Sequence, residues 1–174
     1  MPDDSVGHQW LNTELLGELR PWIDTGQVVV EFNNQGYFDN LDRDYPTTGN
    51  TIAWGKITPR KTADVLPSGD KEYTRQEQRV LLSNRRHVVR GWFQEAGITP
   101  DGRGVWIGDL GDLAFTMTTN MFIELMPIIL SYAGQHHYFV GTDGTWCLHY
   151  TIVGHLVFGL TKDCKHRGWV TDEE

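Results

Sequence analysis

The residues best suited to chemistry lie near the end of the chain. His136, His137, His149 and His155 fall within one predicted run of strands, and Cys147 stands two positions before His149. Residues i and i+2 of a strand share a face, so Cys147 and His149 point the same way. With His137 facing them across a hairpin, the three would offer zinc two imidazoles and a thiolate. No HExxH, paired CxxC or HxE pattern accompanies them. The competing reading puts Cys147 and His149 on the outer face, with Trp146, Leu148, Tyr150 and Ile152 facing the core. No cofactor is expected.

A second candidate is the acidic and aromatic stretch Tyr37–Tyr45. As a polar loop it would expose Tyr37, Phe38, Asp39, Asp42, Asp44 and Tyr45, aromatic area ringed by carboxylates that can pair with Arg or Lys of a partner. Its Asp spacing lacks the EF-hand order and glycine, which argues against calcium. The alternative is a solvated loop whose aromatic rings tuck onto a sheet. A third candidate is Arg79, Arg86 and Arg90, which share one side of a predicted helix and could hold a phosphate or an acidic peptide. Such a stripe more often pairs with neighbouring carboxylates. Nucleophilic catalysis has little to stand on, since there is no GxSxG motif and no glycine-rich phosphate loop.

Periodicity gives the elements that would position these residues. Leu11, Leu15 and Leu19 make one helical stripe over 8–20, and Pro21 is expected to end it. A strand is predicted over Gln27–Asn33 and a weaker one over Thr51–Ile57, with a connector over 58–73. Thr74-Arg75-Gln76-Glu77 is a capping box that opens one helix running to Gly97, the residue placed to close it. Gly104–Thr118 reads as a hairpin, followed by a central apolar helix carrying Pro127, where a kink or late start is expected. His136–Val140, Thr145–Ile152 and Leu156–Thr161 then form a meander, with Asp143-Gly144 in its first turn. The expected fold is α+β: an antiparallel or mixed sheet of six or seven strands against three helices, as a single layer pair. Residues 1–174 form one domain, with 1–7 and 162–174 as loose ends.

Composition narrows the function. The chain has 174 residues and a net charge of −8. Residues 1–50 carry nine acids against two bases, 51–100 nine bases against five acids, and 101–174 four bases against nine acids. That balance argues against nucleic-acid binding, which needs clustered positive charge, and suits a basic protein partner. The longest apolar run is interrupted by Pro127 and is too short to cross a membrane. The start Met1-Pro2-Asp3-Asp4 resembles no secretory signal, and two cysteines make no disulfide framework, so a cytoplasmic location with reduced thiols is expected. Together these features suggest a non-enzymatic binding domain, an inhibitor of the bacterial immunity or antitoxin type that covers a basic partner. The alternative is a small-ligand or metal-dependent enzyme with a His- and Trp-lined pocket between the central helix and the meander.

Overall fold

The computed structural model describes residues 4–49, 51–67, 69, 71–132 and 134–164. Seven strands form one antiparallel sheet: β1 (Val29–Glu31), β4 (Lys61–Asp64), β5 (Arg103–Gly108), β6 (Ala114–Thr118), β7 (His137–Gly141), β8 (Trp146–Tyr150) and β9 (His155–Leu160). Their order across the sheet is β1-β6-β5-β7-β8-β9-β4. Two more, β2 (Thr47–Thr48) and β3 (Thr51–Ile52), pair as a separate small hairpin. The described residues include five α-helices: α1 (Asp4–Asp24), α2 (Gln35–Asp44), α3 (Arg75–Ser83), α4 (Arg86–Glu95) and α5 (Thr119–Ile129). The class is α+β, as the pattern predicts. Among the described residues no helix is long and apolar enough to cross a membrane.

Five helices stand where three were expected, for two reasons. The predicted helix over 74–97 breaks at Asn84-Arg85, where Arg85 N–H turns back to the Leu82 carbonyl. Ser83 and Asn84 hold a helix poorly because their side chains compete for its backbone groups. The break lets Leu82 and, seven residues on, Val89 and Phe93 all reach the core. Its two ends match the sequence: the Thr74–Glu77 capping box forms, and Gly97 takes φ +75° while Ile98 N–H bonds the Phe93 carbonyl. The second reason is that Tyr37–Tyr45 is not a loop. Phe38, Leu41 and Tyr45 recur at helical spacing and are buried, so the stretch coils as α2 and lays that stripe on the sheet.

Other expectations shift in the same way. Helix α1 runs past Pro21 to Asp24, and Gly26 just beyond it has φ +79°. The proline falls in the last turn, after Leu15 and Leu19 are already anchored in the core, so only the few residues that follow it depend on its geometry. Pro127 likewise sits in the last turn of α5, so that helix neither starts late nor stops there. The predicted strand over Thr51–Ile57 shrinks to β3 plus a 3₁₀ turn at Trp54–Lys56. The connector over 58–73 contains the edge strand β4. Of the expected loose ends, 4–7 belong to α1 and Thr161–Asp163 form a 3₁₀ turn, with Cys164 bridging Ile57. Residues 1–3 and 165–174 lie outside the described residues.

Both faces of the sheet are covered. Helices α1, α3, α4 and α5 contribute Leu15, Leu19, Leu82, Phe93 and Phe122 to a core with Phe115, Phe139, Trp146 and Leu148. On the other face Phe38, Leu41, Tyr45, Ile52 and Ile57 pack on Val105, Ile107, Tyr138 and Cys147. Close approach on the helical side depends on Gly104, since a Cβ there would lie 2.5 Å from the Phe139 ring. That ring in turn stacks on Phe122 of α5, with centroids 3.9 Å apart and planes 7° from parallel. Replacing Phe122 with Ala removes the ring joining helix to sheet and should cost about 3–5 kcal/mol. Urea unfolding followed by tryptophan fluorescence reads the loss, and a change below about 1 kcal/mol would refute this account of the core.

Candidate functional site

The three proposed metal ligands do not converge. In the β7–β8 ladder His137 stands opposite Tyr150 and Tyr138 opposite His149, so His137 faces the helices while His149 and Cys147 face the second layer. Among the described residues no three His, Cys, Asp or Glu side chains gather closely enough for a metal ion. Cys147 and Cys164 are not joined in a disulfide. Cys147 is fully buried, and burial pushes its thiol well above the usual range, leaving it a neutral apolar side chain.

Each buried histidine is instead paired with a tryptophan. On the helical face Trp106 Nε1–H donates to His137 Nδ1 at 3.2 Å, and His137 Nε2 lies 3.0 Å from the Tyr132 carbonyl. On the other face Trp54 Nε1–H donates to His149 Nδ1 at 2.8 Å, and His149 Nε2 lies 2.8 Å from His136 Nδ1. An indole can only donate, so both Nδ1 atoms are acceptors and both neutral rings carry their proton on Nε2. The second chain therefore runs Trp54 to His149 to His136. Tyr138 stacks on the His149 ring with centroids 4.3 Å apart. Gly159 makes room for Trp54, since a Cβ there would lie 2.6 Å from the indole.

Burial disfavours the imidazolium and pulls both histidines down to about 3. Above pH 6.5 neither the folded nor the unfolded chain protonates them. Below it only the unfolded chain does, so stability is lost as pH falls towards 3. The expected slope approaches 1.4 kcal/mol per pH unit for each histidine, about 2.7 for the pair. Urea unfolding at several pH values measures it, and His149→Gln should remove about half of the slope. A flat profile between pH 6 and pH 4 would refute the pairing.

The arginine stripe is taken up by structure. Arg79 holds Glu18 through both carboxylate oxygens, at 2.7 and 2.8 Å, and donates to Ser131 Oγ at 3.0 Å. Burial alone would raise the Glu18 carboxyl, but hydrogen bonds from Arg79 and Tyr132, with the nearby arginine charges, outweigh it and hold it below its ordinary value. Arg86 donates to the Ile123 and Glu124 carbonyls. Arg90 is exposed.

An open cleft lies on the second face. It has a volume of about 930 Å³ and runs between α2 and the β7–β8 turn. Tyr37, Asn40, Asp44 and Tyr45 form one wall, Val105, Ile107 and Val140 the floor, and Thr142–Thr145 the far rim. Asn34 fixes the start of α2, its amide donating to the carbonyls of Gly108, Gly111 and Leu113 in the β5–β6 turn. At the other end the Thr161 hydroxyl lies 2.9 Å from Tyr45 Oη and bonds the Gly144 carbonyl at 2.5 Å. Among the described lining residues there is no histidine or cysteine. The two carboxylates are engaged: Asp44 accepts from Arg43 at 2.9 and 3.1 Å, and Asp143 from the Thr145 N–H and hydroxyl at 3.0 and 2.7 Å.

The predicted acidic and aromatic residues therefore divide. Phe38 and Tyr45 are core side chains, and Tyr37 is half-buried with its hydroxyl on Glu31. Asp39 and Asp42 face solvent, and Asp44 sits at the cleft edge. The structure brings Tyr37, Asp44 and Tyr45 together on the cleft wall. The floor and far rim were not anticipated, because Val105, Val140 and Thr142 carry no local signature and meet only through sheet register. The pocket expected between the central helix and the meander is filled by Phe122, Phe139 and the Trp106–His137 pair. Comparison with protein-family models, curated proteins and solved structures gives no match.

Proposed function

We propose that this chain is a non-enzymatic protein-binding domain of the inhibitor type, which takes a basic segment of its partner along the α2 side of the cleft. The observation that carries this reading is the cleft itself: an apolar floor with a polar rim whose carboxylates are already engaged. Catalysis by a side chain needs an activated nucleophile or an acid–base group held within reach of a reacting atom, and the described lining holds no serine, cysteine or histidine. Binding needs only shape, apolar area and complementary charge. Asp39 and Asp42 are exposed on α2, and Asp44 and Asp143 line the cleft beside Arg43 and Lys162, which suits a partner segment rich in Lys and Arg.

The role fits the chemistry of exposed carboxylates, which steer encounter and set salt dependence more than they add buried affinity. The test is capture of partners from the native lysate by the tagged protein at two salt concentrations, followed by titration of the captured partner. A single basic partner should be retained at low salt. Asp39→Lys with Asp42→Lys should weaken it by about tenfold or more while leaving the circular dichroism spectrum unchanged. Binding that is indifferent to both salt and charge reversal would sink the proposal.

A further inference from the structure

We infer that the cleft reads the backbone of its partner: one extended residue of the bound segment seats beside Gly141, its carbonyl accepting from the Trp146 indole N–H and its own N–H donating to the Asp143 carboxylate. This rests on the proposed binding of a partner segment and adds how that segment is held. The cleft does not stop at the β7–β8 turn. Ala96 and Ile98 at the end of α4, with Trp146 and Leu160, line its continuation on the helical side. Trp146 is 3% exposed, its ring packed against Phe93, Phe139 and Phe158. A buried indole usually finds an acceptor for its N–H. Trp54 and Trp106 find one in His149 and His137. Among the described residues Trp146 has none. Nor is its nitrogen sealed, since the fully buried polar atoms without a partner among the described residues are on Glu14, Gln78 and Tyr150. The donor therefore opens onto the cleft that its ring lines.

Gly141 brings a donor and an acceptor to one place. A Cβ there would lie 2.5 Å from Trp146 Nε1 and 2.9 Å from Asp143 Oδ1, so only bare backbone lets both approach it. Asp143 takes the Thr145 N–H and hydroxyl on Oδ1, at 3.0 and 2.7 Å, which fixes the carboxylate and leaves Oδ2 without a partner among the described residues. These two groups select the chemistry of the occupant. An indole only donates, so the occupant must accept there, which Lys and Arg side chains cannot do. A carboxylate could accept, but Asp143 would repel it. What fits is a neutral group that accepts and donates side by side, and the backbone is the one such group every protein partner carries. In an extended chain the N–H and C=O of one residue point the same way, as when antiparallel strands exchange both bonds. Alternate side chains of that segment point to opposite sides, so apolar ones can meet the floor while basic ones stay at the Asp44 and Asp143 rim.

The probe is an acetylated, amidated pentapeptide of alternating lysine and valine, beside an N-methylated counterpart that keeps the side chains but has no backbone N–H. Indole N–H resonances of the isotope-labelled full chain report binding, and Trp146→Phe identifies the Trp146 signal by its loss. The expected result is a downfield shift of that signal on titration with the first peptide, and binding of the N-methylated one weaker by about tenfold. Trp146→Phe should weaken the first peptide by a similar factor, and the two wild-type titrations decide the matter even where this core substitution lowers stability. Peptide binding that leaves the Trp146 signal in place, or that is indifferent to N-methylation, would overturn this inference and leave the protein-binding reading standing. So would a partner captured from the lysate while the peptide does not bind. N-methylacetamide alone moving the signal at the same concentration would overturn the backbone in favour of a small amide ligand. Failure of the peptide and of lysate capture together would overturn both readings.

Discussion

Strands β5, β7 and β8 lie in the middle of the sheet with side chains buried on both faces, and every polar group they carry must be satisfied inside the protein. For the two buried histidines the surrounding architecture answers that demand, while the buried Tyr150 hydroxyl on β8 has no hydrogen-bond partner among the described residues. A half-exposed sheet could let His149 face water. Here Trp54 supplies a donor to one ring nitrogen and His136 an acceptor for the other, as Trp106 and the Tyr132 carbonyl do for His137. The indoles need these contacts as much as the imidazoles, since a buried donor without an acceptor costs about 1–3 kcal/mol. Clustered histidines and an excess of tryptophan are thus two halves of one solution. Their shared cause is structural, although the same residue types at the same spacing read as metal ligands.

Elements were legible wherever one periodicity dominated. The capping box at Thr74, the Gly97 closure, the Gly104–Thr118 hairpin and the three meander strands rest on local chemistry that tertiary context reinforces. The reading failed where two local signals competed. In Gln35–Asp44, Gly36 and the Asn and Asp residues read as turn formers, and they hid the Phe38–Leu41–Tyr45 stripe that only the sheet beneath makes decisive. Pro21 and Pro127 read as helix stops or kinks, whereas each helix carries its proline in the last turn and continues past it to Asp24 and Ile129. β4 escaped because an edge strand with one ladder needs no apolar alternation.

The candidate site divides along the same line. Tyr37, Asp44 and Tyr45 were found because they lie close together in the chain. The cleft floor could not be found, since Val105 and Val140 meet only as partners in the β5–β7 register. Sequence order puts His137 and His149 on neighbouring strands, while the register puts them on opposite faces. A shift of one residue along a strand exchanges its faces, and the two-residue turn at Asp143-Gly144 itself sets His137 opposite Tyr150 and Tyr138 opposite His149, so the register that separates the ligand set is contained in the turn.

The cleft follows from a mismatch of lengths. Seven strands at about 4.8 Å spacing make a sheet about 29 Å across, while the ten residues of α2 reach about 15 Å. On the helical face four helices share the cover. On the second face a short helix, a two-strand hairpin and one 3₁₀ turn must suffice. They close over Tyr138, Cys147 and His149, and they stop short of Val105, Val140 and the β7–β8 turn. Extending α2 would have sealed those side chains, but Tyr45-Pro46 ends it, with Tyr45 turned inward beneath Thr161. The residue before a proline is pushed out of the helical region, and Tyr45 is extended accordingly. The same dipeptide therefore anchors the second core and leaves the opening beside it, so that loss of cover and definition of the wall are one event in the chain.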